Sequence, residues 1–258
     1  MKVKAFQLLC KVVLPCFTIC LILSNLSTKA VEQTAVKEKE IGSSEVAAIL
    51  TRYDIKRGYE HVFRKVLKNY IARALANESN IMAEAYFEQE QPSVMWVIER
   101  WINKDKFDKF SKTQPADTVS SLSKNALLKP AHTIYVKDLE PVSKKQWRTV
   151  ALHADTPLTI MLFVDAKPGT AISFQEIYHK AMPQFRSEPG VINYQLSQIE
   201  NDSNRFVTYE KFRSEEAFQY HLNYPPIQPV IEYLNTSIKK QPFQSGLHRL
   251  VLISTDGQ

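Results

Sequence analysis

The chain changes hydrophobic period in a fixed order. From Leu158 to Ala166 apolar and β-branched residues dominate, a strand pattern, and Lys167-Pro168-Gly169 then turns the chain. Phe174, Ile177, Tyr178, Ala181 and Phe185 recur at helical spacing, and that helix should stop near Pro189-Gly190. Val191 to Ile199 and Arg205 to Phe212 read as strands joined by the turn Asn201-Asp202-Ser203-Asn204, which makes them a hairpin. Ser214 has the character of a helix N-cap, with Glu215 and Glu216 where the helix dipole favours negative charge. The second helix runs to about Asn223, breaks at Pro225-Pro226 and resumes toward Leu234, and Leu247 to Ser254 is the closing strand.

The same order occurs earlier. A shift of 111 positions lays Lys56 on Lys167, Gly58 on Gly169, Phe63 on Phe174, Ile81 on Ile192, Glu99 on Glu210 and Phe107 on Phe218, without a gap. In this first copy the strands are Val46 to Ile55, about Ile81 to Gln89, Val94 to Trp101 and His132 to Lys137, and Asn103 takes the N-cap role of Ser214. Each copy is thus a βαββαβ ferredoxin-like unit, an antiparallel sheet with helices on one face. The other face of each sheet is left uncovered. Two copies in one chain can bury it against each other, so the expected fold class is α+β, with the two units packed sheet to sheet as a pseudo-dimeric α/β barrel. The expected boundaries are 45–138 for the first unit, 139–157 for a connection containing Trp147, and 158–254 for the second unit.

Composition changes this picture only at the amino end. Lys2, Lys4 and Lys11 flank or precede an apolar run from Val12 to Leu23, and no acidic residue comes before Glu32. This is the pattern of a secretory signal, too short to span a bilayer, with Thr28-Lys29-Ala30 as a cleavage site. Residues 1–30 are therefore expected to be removed and residues 31–44, rich in Glu, Lys and Ser, to form a linker, which places the mature protein in the periplasm or outside the cell. The alternative is an uncleaved amino-terminal anchor. Without Lys2, Lys4, Lys11 and Lys29, 29 basic residues face 27 acidic ones and the formal charge falls from +6 to +2. No basic helix face remains to suggest nucleic-acid binding. Cys10, Cys16 and Cys20, the three cysteines, also lie in the leader, so disulfides, thiolate catalysis and cysteine metal sites are excluded from the mature chain.

Candidate chemistry sits in the second copy. His221 shares a helix face with Ala217, Phe218 and Leu222 and can point at the sheet. Glu210 shares a strand face with Phe206, Thr208 and Phe212, where a carboxylate must be paired or protonated. Asn193 and Tyr194 occupy opposite faces of one strand, so only one of them can line a given pocket. Tyr209 faces away from Glu210; its hydroxyl could orient a substrate, but a surface position is favoured. Arg186 is expected to cap its helix in solvent, and His179 to be exposed. At the shift of 111 the first copy has Met82, Ala83 and Phe110 in place of Asn193, Tyr194 and His221, and Ser79 in place of Gly190, but keeps Glu99. It therefore reads as a scaffold half, and the persistence of Glu99 favours a structural role for Glu210. There is no glycine-rich phosphate loop, and the histidines show no metal-ligand spacing.

Lys167-Pro168-Gly169, Glu188-Pro189-Gly190-Val191-Ile192-Asn193-Tyr194, the run from Phe206 to Ala217 and His221 together resemble the antibiotic biosynthesis monooxygenase family. That resemblance implies the dimeric α/β-barrel fold. Its members include cofactor-independent quinol oxygenases and haem-degrading oxygenases, so the fold alone does not fix a reaction. It implies His221 as a general base, with Tyr194 and Glu210 as further catalytic candidates. Asn193, Phe206, Phe218 and Tyr209 are the candidates for binding a small aromatic or hydrophobic molecule, without flavin or metal. The rival expectation is a non-catalytic carrier of a hydrophobic ligand such as haem, or a haem-degrading oxygenase, in which His221 ligates iron.

Overall fold

The computed structural model describes residues 45–240 and 246–254; the expected leader and linker, 1–44, lie outside the described residues. The first repeat runs β1 (Ala47–Asp54), α1 (Glu60–Leu75), β2 (Asn80–Glu88), β3 (Val94–Trp101), α2 (Lys104–Phe110), α3 (Gln114–Ala126) and β4 (His132–Asp138). A short helix α4 (Lys144–Trp147) follows. The second repeat runs β5 (Leu158–Asp165), α5 (Ala171–Ser187), β6 (Val191–Ile199), β7 (Arg205–Phe212), α6 (Glu215–Asn223), a 3-10 turn (Pro225–Ile227), α7 (Gln228–Thr236) and β8 (Leu247–Leu252). The repeat extends to small details. Gly58 and Gly169 both take positive φ, +94° and +81°, in the turn before the first helix, a conformation that glycine adopts without cost. A register shift falls between Asn80 and Met82 in one copy and between Val191 and Asn193 in the other. The expected caps form: Asn103 accepts from the Lys106 amide and Ser214 from the Ala217 amide. Helix α3 had no counterpart among the sequence-derived elements of the first copy.

The eight strands close into one antiparallel barrel in the order β1-β3-β2-β8-β5-β7-β6-β4. Each repeat contributes four adjacent strands, and the two sets join at their edges. Glu88, Phe87 and Tyr86 pair with Leu250, Val251 and Leu252, and Val136, Lys137 and Asp138 pair with Ile199, Gln198 and Ser197. Closure removes every free sheet edge. The sheet faces left bare by the helices become the inside of the barrel, filled by Leu50, Tyr86, Trp96, Ile98, Met161, Val207, Tyr209 and neighbours. Two further cores lie outside it, one under the helices of each repeat.

The connection between the repeats is a structural part. Trp147, 3% exposed, packs in the barrel-interior core, 5.7 Å from the Tyr209 ring, with the Arg100 guanidinium 4.3 Å from its own ring centroid. Arg100 is paired with Asp138 through two hydrogen bonds of 3.0 Å, and Ser197 also donates to Asp138. Arg148 donates to the carbonyls of Leu75, Asn80 and Ile81, and Asn193 Nδ2 donates to the Trp147 carbonyl, so the connection is fastened to both repeats. Trp147→Ala should therefore cost about 3–5 kcal/mol of unfolding free energy, the range for removing a large buried aromatic. Urea denaturation followed by circular dichroism measures it, and a loss below about 1 kcal/mol would show that the connection does not support the barrel.

Candidate functional site

The second repeat has a small cavity between the outer face of its sheet and α6, the 3-10 turn and α7. Ile160 and Leu162 from β5, Leu247 from β8, Phe218 and Leu222 from α6, and Ile227, Val230, Ile231 and Leu234 beyond it give an apolar lining. Tyr178, Tyr194, Glu210 and His221 supply the polar groups. The free space is about 30 Å³. That suffices for one or two waters or a diatomic gas and is far below the roughly 300 Å³ of an ordinary ligand pocket. A larger molecule enters only if α6, the 3-10 turn and α7 move away from the sheet. The Pro225-Pro226 break lies between the two helices that would have to move.

His221 reaches the cavity from α6, which packs directly on the Gly190 turn. A Cβ on Gly190 would collide with the Cβ of Ala217, and Ala217 lies one helical turn before His221. The first repeat has Ser79 and Lys106 at these two places. The imidazole is 1% exposed and boxed by Phe185, Tyr194 and Phe212, with ring centroids 4.8, 5.2 and 5.2 Å away. Its Nδ1 lies 2.8 Å from Glu188 Oε1, and Nε2 has no hydrogen-bond partner among the described residues. Burial pushes the His221 pKa down to about 4, so the ring is neutral at pH 7.

Glu210 and Tyr194 face each other directly across β6 and β7. Thr208 Oγ1 donates to Glu210 at 2.7 Å, and the Tyr194 hydroxyl bonds to both Glu210 and Tyr178. Burial pushes Glu210 up to about 7 against these hydrogen bonds. Glu188 is also raised to about 7, by burial first and by the Glu210 charge second. The chain therefore gathers two carboxyls that titrate near neutrality, a neutral imidazole and two tyrosines whose hydroxyls burial holds protonated.

Four of the seven residues singled out from sequence, His221, Glu210, Tyr194 and Phe218, line one cavity. Phe206 lies on the same sheet face, its ring tilted against Phe174 at 4.9 Å, but is not part of the lining. Asn193 lies on the opposite strand face and is held by the Trp147 carbonyl. The surface position expected for Tyr209 is corrected: the barrel turns that sheet face into an interior, and its hydroxyl donates to Glu84 2.8 Å from the Tyr86 hydroxyl. Arg186 is likewise not a solvated cap. It donates to the carbonyls of Tyr194 and Glu140 and to Gln195, fastening α5 to β6 and the inter-repeat connection. His179 is exposed and paired with Glu140. Glu188 and Tyr178 are the residues that sequence reasoning passed over. Both are lost at the shift of 111, where Asn77 and Leu67 stand, so the comparison that singled out His221 carried the signal for them too.

In the first repeat the equivalent space is filled. Phe110, at the place of His221, packs 4.8 Å from Trp101 and 5.3 Å from Tyr70. Tyr70 donates to both oxygens of Glu99, and Trp101 Nε1 donates to Oε1. Glu99 is also raised to about 7 by burial.

Haem does not fit the closed cavity. At about 30 Å³ it has no room for a macrocycle, and a small aromatic too enters only with the movement of α6, the 3-10 turn and α7, although His221 Nε2 is the kind of nitrogen that ligates iron. Among the described residues no group of three or more His, Cys, Asp or Glu side chains is placed to hold a metal ion.

Glu99 allows a test of the buried-carboxyl arrangement away from the cavity. Its pKa is higher folded than unfolded, so its contribution to stability is complete below about pH 4.5 and is lost as pH rises through about 7. Glu99→Gln, which keeps the acceptor for Tyr70 and Trp101, should gain on the wild type by about 3 kcal/mol between pH 5 and pH 8.5, following 1.36 kcal/mol per pKa unit. Denaturant titrations at both pH values measure this difference, and a difference independent of pH would refute it.

Two family-model matches to antibiotic biosynthesis monooxygenase cover residues 47–119 and 157–232, one on each repeat. A "putative monooxygenase" of Lactobacillus acidophilus superposes with a TM-score of 0.68 at 17% identity, over 81% of this chain and 95% of that one. A second, from Fusobacterium nucleatum, gives 0.68 at 12% identity over 82% and 94%. An anthrone oxidase-like protein gives 0.52 at 9% identity over 80% and 92%. At these identities the likeness is one of fold. An uncharacterized protein of Synechocystis is 29% identical over 79 residues, 31% of this chain; the match spans about half of that relative, 54% of its length. With both repeats matched and their eight strands closed into one barrel, the chain belongs to the antibiotic biosynthesis monooxygenase family as a tandem, internally pseudo-dimeric member.

Proposed function

We propose that this protein is a cofactor-independent oxygenase acting on a small, uncharged, quinol-type aromatic, with the second repeat (158–254) as the reacting unit and the first (45–138) as its scaffold. The observation that carries the reading is the neutral imidazole of His221, with one unengaged nitrogen, on an apolar cavity next to Glu210 and Tyr194. The free Nε2 lone pair can accept a phenolic proton; burial makes it a weak base, with a pKa of about 4, so the transfer depends on the protonated ring being stabilised by the Glu188 carboxylate at Nδ1. The resulting phenolate is electron-rich and reduces dioxygen. In the monooxygenation, hydroquinone and dioxygen give hydroxyquinone and water: one oxygen atom forms the new carbon–oxygen bond, and the other leaves with the two hydrogens that the substrate loses. Among the described residues the lining contains no Lys or Arg, which disfavours an anionic substrate. Protonated Glu210 and the Tyr194 hydroxyl are the groups available to donate a hydrogen bond to a substrate oxygen.

The purified protein with simple hydroquinones should consume dioxygen at a steady rate and place one ¹⁸O atom from ¹⁸O₂ in the product. His221→Ala should lower that rate by roughly 10²–10⁴-fold, the usual contribution of a positioned base. An unchanged rate in His221→Ala removes the residue from the mechanism. Binding of hydroquinones without turnover would favour the carrier reading, which the largely aliphatic lining also supports.

The reading includes a location. Residues 1–30 act as an export signal cut after Ala30, and the reaction takes place in the periplasm or outside the cell. Amino-terminal sequencing of the protein purified from its own cells should begin at Val31; a chain beginning at Met1 in the cytoplasmic fraction would refute export. Among the described residues no helix is long and apolar enough to cross a membrane.

A further inference from the structure

Among the described residues Glu188 is the one acidic group in hydrogen-bond contact with His221, and its chemistry constrains which ring nitrogen carries the proton. The contact is a single one, Oε1 to Nδ1 at 2.8 Å, and both side chains are buried, 2% and 1% exposed. A carboxylate has no proton to give, so a carboxylate at Oε1 requires Nδ1–H and leaves Nε2 with its lone pair free. A protonated carboxyl can donate to Nδ1 instead, and the neutral ring then carries its proton on Nε2, where it cannot act as a base. The ring is hemmed in by Phe185, Tyr194 and Phe212, so it cannot readily turn to escape the choice.

We propose that Glu188 is a positioning residue: as a carboxylate it holds His221 as the Nδ1–H tautomer with Nε2 ready to accept a proton at the cavity, and its protonation swaps the tautomer and withdraws the base. The functional meaning of this switch rests on the oxygenase reading above; the tautomer itself does not. Three observations bear on it independently. Glu188 Oε2, like His221 Nε2, is buried without a hydrogen-bond partner, so the pair makes one contact and no other among the described residues. The backbone holds the carboxyl in place: the Val191 amide donates to the Glu188 carbonyl, the Arg213 amide donates to the Gly190 carbonyl, and Gly190 carries the close approach of α6. Finally, the first repeat replaces both members together, Asn77 for Glu188 and Phe110 for His221, while it keeps the buried carboxyl Glu99.

The other groups facing the pair determine where the switch lies. Glu210 comes from β7, Tyr194 from β6 and Tyr178 from α5, and none of these is a cation. On α6 itself Glu215 and Glu216 are in the exposed first turn, and Arg249 from β8 is engaged by Glu215. Arg213, whose Nε donates to the Pro189 carbonyl next to Glu188, is taken up by Asp155 at 2.7 Å. With no positive partner among the described residues paired to it and Glu210 to oppose its charged form, Glu188 titrates at about 7. His221 stays neutral throughout that range.

Protein labelled with ¹⁵N-histidine gives the tautomer directly from long-range ¹H–¹⁵N correlations of the imidazole, with the His221 signals among the six histidines identified by their loss in His221→Gln. The expected result is Nδ1–H at pH 8.5, Nε2–H at pH 5.5 and a midpoint near 7, with no swap in Glu188→Gln. Glu210→Gln, which leaves the pair intact, should keep the swap and move its midpoint to lower pH. Nε2–H in the wild type at pH 8.5, a swap that survives in Glu188→Gln, or a swap lost in Glu210→Gln each overturns the assignment. No turnover is needed for this measurement, so an inactive protein with the expected tautomers would refute the oxygenase reading and leave the positioning role standing.

Discussion

Two three-residue edge pairings, Tyr86–Glu88 against Leu250–Leu252 and Val136–Asp138 against Ser197–Ile199, turn two open sheets into a closed barrel. A four-stranded sheet with helices on one face has a second face that water would otherwise cover, and two outer strands with unpaired backbone groups. Joining the edges deals with both at once. It gives the edge amides and carbonyls partners and encloses the second faces as a shared core. The cavity beside His221 depends on this, since β5, β6 and β7 are held in one curved surface against which α6 and α7 can pack.

The barrel interior is polar at several points where side chains from different repeats meet. Glu84 of the first repeat receives Lys211 and Tyr209 of the second, and Ser197 of the second donates to Asp138 of the first, which also pairs with Arg100 of its own repeat beside Trp147. Buried charges are poor sources of net stability because their desolvation offsets much of their attraction. The pair between the repeats makes their misalignment costly, since a slip would leave the Glu84 carboxylate or the Lys211 ammonium buried alone. The connection containing Trp147 works in the same direction by contacting both halves.

The two repeats solve the problem of a buried carboxyl on the outer sheet face differently. In the first, Tyr70 and Trp101 surround Glu99 and Phe110 closes the space, which leaves a satisfied and filled core. In the second, Ala181 and Phe212 stand at the places of Tyr70 and Trp101, and Tyr194 and Thr208 take over the polar contacts. The imidazole at 221 stands where the first repeat has a phenyl ring, on the wall of the small cavity. Two buried polar atoms of the second repeat, His221 Nε2 and Glu188 Oε2, have no hydrogen-bond partner among the described residues. A folded core rarely tolerates this without a reason.

The amino-acid sequence by itself determined the repeat, its βαββαβ order and the asymmetry between the copies. These follow from local periodicity, turn residues and a comparison of the chain with itself. Strands β3, β6 and β7, the caps at Asn103 and Ser214, and the helix break at Pro225-Pro226 were all legible in this way, because each depends on neighbouring residues only. Period and alternation also set His221 on a helix side that can face the sheet and Glu210 on one strand face, and left open which of Asn193 and Tyr194 would join them. Only the tertiary structure decided which faces were inside. Alternation places Tyr209 opposite Glu210, but barrel closure, a contact between residues more than a hundred positions apart, makes that opposite side a core. The same holds for Glu188: its position at the end of α5 says nothing about His221, 33 residues later, until Gly190 lets α6 descend and brings the two within 2.8 Å.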